Sequence, residues 1–113
     1  MSTVPRLPPL VARVVPRLAR ALAADRIMLF GSYAKGVARG GSDVDLLVVI
    51  DTEEITAALQ RRVRQLTADC FPPVDVVLCT RTEIDDAEVA SSPFLGSILG
   101  SAVCLFERVA PER

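Results

Sequence analysis

The sequence predicts a single α+β (α/β) domain in which a small sheet of about four strands is covered by helices. Its 113 residues suit one hydrophobic core, and half of them are hydrophobic. Short apolar runs alternate along the chain with segments of helical periodicity, without an internal repeat or a second domain. We therefore divide the chain into a flexible proline-rich N-terminus (residues 1–9), the domain (residues 10–107) and a charged tail (residues 108–113).

The first half of the domain begins with a helix and continues with two strands. Apolar residues at helical spacing predict a helix from Leu10 to about Ala24, which Pro16 is expected to bend. A short apolar run predicts a strand over 27–30, and Ser32 is expected to start a short helix after it. The unbroken apolar run over 44–50 predicts a strand that is buried on both faces and therefore central in the sheet.

The second half of the domain begins with a strong helix signal. Asp51 can cap a helix, and Glu54 three residues later completes a capping-box pattern, which predicts a helix that ends near Cys70. A pair of prolines stops this helix. Beyond it the sequence predicts, in order, a strand over 74–79, a helical segment over 83–90, a further helix after Pro93 and a strand over 102–106.

Charge and composition exclude several classes of function. The formal net charge of −1 gives no basic excess of the kind that direct nucleic-acid binding needs. The chain has no histidine, which excludes Ser-His-Asp and Cys-His catalysis, zincin motifs and most zinc sites. Any general base must therefore be a carboxylate, a lysine, a tyrosine or water.

The cysteines and the apolar runs bear on where the protein works. Cys70, Cys79 and Cys104 are odd in number and form no CxxC motif, which favours buried free thiols in a reducing compartment. No signal peptide is visible, and no apolar run reaches the roughly 18 to 20 residues of a membrane span. We therefore expect a cytoplasmic protein. A mean hydropathy of +0.38 indicates that a partner protein or a second copy covers part of the apolar surface.

Two carboxylates stand at the head of the central strand. Asp43 and Asp45 are two residues apart on extended chain, so their side chains point to one face with Cα atoms about 6.6 Å apart. Like charges this close repel each other unless a cation lies between them, and oxygen ligands of this kind suit Mg²⁺ or Mn²⁺. The alternative is a polar turn before a strand, which is the better interpretation for an isolated pair.

Asp75 gives that pair a possible third member. It lies in an otherwise apolar strand, where an unpaired buried carboxylate is costly. If this strand lies beside the strand of Asp43 and Asp45, Asp75 joins the same metal cluster. The alternative is a strand-end aspartate that reaches solvent or caps a neighbouring turn.

A glycine-rich loop precedes the carboxylates. Gly31 at a strand end lets the backbone approach a ligand closely, and Ser32 opens a short helix whose N–H groups and hydroxyl suit a phosphate. The loop that follows is long enough to fold back over the carboxylates. Its cations, Lys35 and Arg39, can neutralise phosphate charge, although solvated loop cations are an equally good interpretation of them.

These residues together resemble a known family. The joint pattern GSxAxGxxxxxSDxDLLV, followed by Asp75 in a later strand, is similar to the nucleotidyltransferase superfamily of DNA polymerase beta. Within it, the size resembles the minimal nucleotidyltransferase (MNT) proteins, and the resemblance extends over about residues 10–107. It implies a small mixed sheet with helices packed mainly on one side.

The resemblance also implies an activity and a set of site residues. Asp43 and Asp45 would bind two Mg²⁺ ions, and Asp75 would help to hold the catalytic ion and favour deprotonation of an acceptor hydroxyl. That hydroxyl would attack the α-phosphorus of a nucleotide, usually ATP, and pyrophosphate would leave. The residues that would bind the nucleotide are Gly31, Ser32, Lys35, Arg39 and Ser42.

The acceptor is left open by the sequence, and three hypotheses follow. MNT proteins commonly pair with HEPN proteins, which are all-helical ribonuclease toxins, and some members transfer AMP to a tyrosine of that toxin. The leading hypothesis is therefore an antitoxin that adenylylates a HEPN toxin, in a homo- or hetero-oligomer without membrane or direct nucleic-acid contacts. The alternatives are an antitoxin that neutralises its partner by binding alone and a nucleotidyltransferase of the aminoglycoside-modifying type, which acts on a small molecule.

Overall fold

Helices and strands alternate along the chain in the computed structural model, which describes residues 7–39, 41–90 and 93–108, with the main chain alone at 86–90 and 93–95. The expected N-terminal segment and charged tail therefore lie mostly outside the described residues. In chain order the elements are α1 (Leu10–Leu22), β1 (Ala24–Phe30), α2 (Gly31–Lys35), β2 (Val44–Ile50), α3 (Ala57–Thr67), β3 (Val74–Thr80), α4 (Arg81–Ala90), α5 (Pro93–Ser101) and β4 (Val103–Glu107).

The four strands form one mixed sheet in the order β3-β2-β1-β4. β2 and β3 are parallel and are joined by a crossover that contains α3, whereas β1 runs antiparallel to both β2 and β4. This confirms the predicted fold class. The strand that the sequence placed at the centre, β2, lies between β1 and β3, which explains why it is apolar on both faces.

The larger core lies between the sheet and the helices α1 and α3. Alternate residues of β2, among them Leu46 and Val48, point to this face and pack with Val14 and Leu18 of α1, all at or near zero exposure. The end of α3 is also tied to α1, because the Arg17 guanidinium donates to the Leu66 carbonyl at 3.0 Å. Helices α1 and α3 thus cover one face of the sheet, whereas α4 and α5 pack on the other face.

A smaller core covers the opposite face of the sheet. Leu47 and Val49 of β2 point to this side and pack with Ile84 of α4 and Ile98 of α5. α4 begins with a reciprocal capping box, in which the Thr80 N–H donates to Glu83 and the Glu83 N–H donates to the Thr80 hydroxyl. No helix in the described ranges is long and apolar enough to cross a lipid bilayer.

Helix α1 runs through Pro16, as the sequence predicts, and ends at Leu22, close to the expected end near Ala24. Pro16 is exposed, so the proline ring meets solvent, and the flanking apolar contacts hold both halves of the helix on the core. The start of the next long helix differs from the sequence-based expectation. Helix α3 begins at Ala57 and is capped by Thr56, whose hydroxyl accepts from the Leu59 N–H at 3.2 Å. Asp51 therefore caps no helix. Residues 51–56 run outside the helix, and Ile55 packs against the larger core.

Candidate active site

Two carboxylates are set side by side by the register of the parallel strands. Asp45 of β2 is the Cα partner of Asp75 of β3, so the two lie on adjacent strands, which are spaced about 4.8 Å apart. Because side chains alternate along a strand, both point to the face of the smaller core. Asp43 lies two residues before Asp45, just outside the strand, and is exposed. The three predicted acidic residues therefore meet at the N-terminal ends of β2 and β3.

The electrostatics of this cluster are unfavourable for its ionised form. The pKa of Asp45 is raised above its usual value, first by burial and then by the negative charges of Asp75 and Asp43. No arginine or lysine forms an ion pair with any of the three within the described part of the chain. The cluster thus holds excess negative charge that a bound cation would relieve.

Residues 7–39, 41–90 and 93–108 contain no group of three His, Cys, Asp or Glu side chains that could hold a metal ion as they stand. The charges of Asp43 and Asp75 nevertheless reach Asp45, so the three groups are close although their oxygens do not converge on one point. Asp43 and Asp75 are exposed and Asp45 is half-buried. The chemistry of this donor set, three carboxylates with unrelieved repulsion, fits a divalent cation with oxygen ligands.

Gly31 brings the start of α2 against the carboxylates. Its φ of +77° lies in the left-handed region, and a Cβ at this position would stand 2.1 Å from Oδ2 of Asp45. Any side chain would therefore both strain the backbone and displace the Asp45 carboxylate. The glycine is required by close approach, and it fixes the position of α2 relative to β2.

Ser32 lies inside α2 and does not cap it. The helix begins at Gly31, its N-cap is Phe30, and no side chain accepts from its first N–H groups. Ser32 is half-buried, and its carbonyl accepts from the N–H of Val37 at 3.0 Å. The first turn of α2 is thus held in place by backbone bonds beside Asp45.

The remaining predicted nucleotide ligands lie in and before the loop that leads to β2. The Ser42 hydroxyl accepts from the Arg39 N–H at 3.0 Å, and the Ser42 N–H donates back to the Arg39 carbonyl at 2.9 Å. Ser42 therefore closes a turn in this loop. Lys35 at the end of α2 is exposed, and no described contact brings it or the Arg39 guanidinium to the carboxylates.

A groove that the sequence did not predict opens beside the same loop. It has a volume of about 590 Å³, and its lining includes Tyr33, Arg39, Phe71 and Pro72. Phe71 is 81% exposed and lies three residues before Val74, the first residue of the strand that carries Asp75. The one feature of the sequence that could have indicated this groove is a phenylalanine between a helix end and a pair of prolines. The sequence does not show, however, that this side chain faces solvent.

Comparisons with known proteins bear on the family and on the fold. Residues 11–99 match the family model described as nucleotidyltransferase domain. The fold is similar to that in a crystal structure of a toxin-antitoxin with AMP-PNP, with a TM-score of 0.52 and 20% sequence identity. The similarity covers 85% of this chain and 73% of that chain, and at this identity it shows the fold alone. No curated protein matches the chain in sequence.

Proposed function

The chain belongs to the nucleotidyltransferase domain family, whose model spans most of its length, and on this premise we propose that it transfers AMP from ATP to a hydroxyl of a partner protein. The partner we propose is a HEPN-type toxin, which the transfer would silence. The observation that carries the proposal is the placement of Asp45 beside Asp75, with Gly31 closing directly on the Asp45 carboxylate.

Each site residue has a role in the proposed reaction. Asp43 and Asp45 would hold two Mg²⁺ ions, assisted by Asp75, and the bound metal would supply neutralisation of the phosphate charge. Gly31 and Ser32 would place the backbone of α2 along the triphosphate. Lys35 and Arg39, which are exposed, would supply positive charge for it, and the Ser42 hydroxyl would hold the loop before Asp43 through its bond from the Arg39 N–H.

The bond changes in the proposed reaction are simple. The acceptor oxygen forms a bond to the α-phosphorus, and the bond between that phosphorus and the bridging oxygen breaks to release pyrophosphate. The acceptor proton passes to the Asp75 carboxylate, which is exposed and therefore open to a hydroxyl that arrives from another protein. Asp75 then returns this proton to solvent.

Two independent observations support a partner protein. The first is that the structure of similar fold is of a toxin-antitoxin, and it also contains AMP-PNP, an analogue of ATP. The described chain also leaves the carboxylate cluster open, and two large apolar side chains, Val37 and Phe71, are exposed on the loops before β2 and β3. An acceptor that brings its own apolar surface would cover these side chains.

The experiment that tests the proposal distinguishes nucleotidyl transfer to the toxin from neutralisation of the toxin by binding alone. We expect the purified chain, incubated with the toxin, Mg²⁺ and ATP labelled at the α-phosphate, to label the toxin and release pyrophosphate. The double variant Asp43→Asn with Asp45→Asn should label nothing. The matched control is Asp51→Asn, an exposed aspartate after the far end of β2, which should label at the wild-type rate.

Other results would favour the alternatives. An antitoxin that acts by binding alone has one observation in its favour, since the three carboxylates do not converge as they stand. It would be established if the Asp43→Asn, Asp45→Asn variant still neutralised the toxin in full. Labelling of an aminoglycoside by the chain alone, with no labelling of the toxin, would contradict a protein acceptor.

A further inference from the structure

The groove beside the loop before β2 lies at the same end of the sheet as the carboxylates, and the roles proposed above do not use it. Gly41 lines one side of it, two residues before Asp43, and Pro72 lines the other side, three residues before Asp75. Three residues of chain span at most about 10 Å. A nucleoside triphosphate is longer than that, so a nucleotide whose phosphates lie at the carboxylates can place its base in the groove.

The walls of the groove are held in position by hydrogen bonds and by packing. The Val44 N–H donates to the Pro73 carbonyl at 2.9 Å, which ties the two sides together where β2 and β3 begin. Tyr33 is buried in the larger core and also lines the groove, so this wall is fixed by the core. The volume of about 590 Å³ lies within the roughly 300–1,000 Å³ of small-molecule sites.

An aromatic ring in the lining is left without packing partners on most of its surface. Phe71 is 81% exposed, and it is one of two large apolar side chains that the described part of the chain leaves exposed. The other, Val37, is not among the lining residues of the groove and has no flat face. An exposed aromatic ring is a surface on which a nucleobase stacks.

The charge of the lining is suited to an anionic ligand. Arg39 is the charged residue among the lining residues, and no aspartate or glutamate lines the groove. No ion pair of Arg39 occurs in the described ranges. The same arginine is proposed above to supply positive charge for the triphosphate. Its position in the lining connects the groove to the proposed phosphate site.

We propose that this groove is the nucleobase subsite of the nucleotide site, with the base of ATP stacked on the Phe71 ring. The proposal rests on the function proposed above, because the phosphates of the same nucleotide must lie at the carboxylate cluster. The base covers one face of the Phe71 ring, and the acceptor protein covers the other face together with Val37. Phe71 thus gives affinity for a nucleoside and not for phosphate alone.

Two ligands that differ in the presence of a nucleoside test this assignment. AMP-PNP and inorganic tripolyphosphate are titrated into the full chain with Mg²⁺, and their affinities are measured by calorimetry. Phe71→Ala should weaken AMP-PNP binding at least about tenfold and leave tripolyphosphate binding unchanged. Phe71→Tyr, which keeps an aromatic face, should retain the wild-type affinity for AMP-PNP. Equal affinity of wild type and Phe71→Ala for AMP-PNP overturns the proposal.

The matched control truncates the other exposed apolar side chain. Val37→Ala should bind AMP-PNP as the wild type does, because Val37 does not line the groove. Both positions are exposed, so circular dichroism should be unchanged in all three variants. A tenfold loss of AMP-PNP affinity in Val37→Ala as well would show that the effect is not specific to the groove and would contradict the assignment.

A fluorescent reporter tests whether the base reaches the ring. The chain has no tryptophan, so the emission of Phe71→Trp reports on position 71 alone. AMP-PNP should quench this emission through stacking, whereas tripolyphosphate should not. Val37→Trp is the control, and its emission should respond to neither ligand. Equal responses of Phe71→Trp to both ligands, or no response to AMP-PNP at concentrations that saturate binding, would mean that the base lies elsewhere.

Crosslinking distinguishes other occupants of the groove, which are the toxin and residues 1–6 of the same chain. The full chain with the photoreactive residue benzoylphenylalanine at position 71 is irradiated with and without the toxin, and adducts are identified by mass spectrometry. Saturating AMP-PNP should suppress crosslinks to residues 1–6. Crosslinks to residues 1–6 that persist, or toxin crosslinks that exclude AMP-PNP from the chain, would show that another occupant holds the groove and would overturn the proposal.

The subsite and the proposed reaction fail in different ways. If AMP-PNP binding depends on Phe71 but no AMP reaches the toxin, the subsite stands and the proposed transfer is wrong. If the toxin is labelled while Phe71→Ala binds AMP-PNP as the wild type does, the transfer stands and the subsite is wrong. If neither AMP-PNP nor tripolyphosphate binds with Mg²⁺, both are wrong.

Discussion

Carboxylates at the two ends of the central strands β2 and β3 differ in whether arginines pair with them. At the C-terminal ends of β2 and β3, the side chain of Asp25 is only 14% exposed and is bound by Arg108 and by Arg81, the latter at 3.6 Å. At the N-terminal ends, Asp45 faces Asp75 and Asp43, and no described cation pairs with them. Arginines therefore neutralise the carboxylate of Asp25, which has a structural role. No described arginine neutralises Asp45, so its negative charge is available to a ligand.

The largest expected effect comes from Asp45→Asn, which removes one negative charge from the carboxylate cluster. Removal of the charge should reduce AMP transfer more than about 100-fold, which exceeds the usual effect of losing a residue that only supports a metal ligand. Stability at pH 7 without Mg²⁺ should be higher, because the variant removes a charge that is disfavoured by burial and by repulsion from Asp75 and Asp43. Labelling assays and thermal unfolding of the same preparation measure both effects. A large loss of stability would mean that Asp45 is structural.

Gly31→Ala tests whether close approach positions the site. The new Cβ would stand 2.1 Å from the Asp45 carboxylate at a φ of +77°. We expect a loss of stability of about 1–3 kcal/mol from backbone strain and at least a tenfold loss of AMP transfer. Gly36→Ala is the matched control, since it has a similar φ and open space around it. Gly36→Ala should lose no more stability than Gly31→Ala, since it has the backbone strain without the close contact, and only Gly31→Ala should lose AMP transfer to this extent.

Asp25→Asn probes the other end of the sheet. It removes the charge that Arg108 and Arg81 share, and the expected cost is about 1–3 kcal/mol in the free energy of unfolding, because both arginines are largely exposed. The transfer rate at a temperature where the variant is folded should stay at the wild-type value. Denaturant titration gives the first quantity and the labelling assay the second. If Asp25→Asn had the same free energy of unfolding as the wild type, Asp25 would not be a structural carboxylate, and the contrast with Asp45 would not hold.

The pH dependence of stability follows from the raised pKa of Asp45. A carboxyl with a higher pKa in the folded state binds its proton more tightly there, so its favourable contribution is complete below the unfolded pKa and is lost as pH rises through the folded pKa. The stability advantage of Asp45→Asn over the wild type should therefore be present at pH 7 and fade toward about pH 4. Thermal unfolding at both pH values, without Mg²⁺, measures it. An advantage that grows on acidification would contradict the assigned direction.

The smallest expected effect is a difference in reactivity between the thiols of Cys79 and Cys104. Burial raises the pKa of the Cys79 thiol to about 11, whereas Cys104 is exposed on β4. Iodoacetamide at neutral pH should therefore modify Cys104 and spare Cys79, as peptide mass spectrometry would show. Rapid modification of Cys79 in the folded chain would indicate that the smaller core opens.

The strands were predictable because the apolar runs of β2 and β3 have no competing interpretation. Their register was not, since it depends on pairing between distant segments. Only the structure shows that Asp45 and Asp75 are direct neighbours. The roles assigned to the candidate site residues stay predictions.

Local signals that compete with each other were harder to read. The sequence predicts Asp51 as the cap of α3, whereas in the structure Thr56 caps the helix and Ile55, outside it, packs against the larger core. The ion pair between Asp25 and Arg108 joins residues 83 positions apart, which no local pattern can reveal.

The parallel pairing of β2 with β3 also has a consequence for folding. Asp45 and Asp75 become neighbours only after the chain has closed the crossover that contains α3, and such non-local closure is a slow, entropically costly step. No local fragment of the chain can therefore assemble the carboxylate pair. A newly made molecule would bring the two carboxylates of the proposed site together only after β3 has paired with β2, so binding of the proposed ligand would report that this pairing is complete.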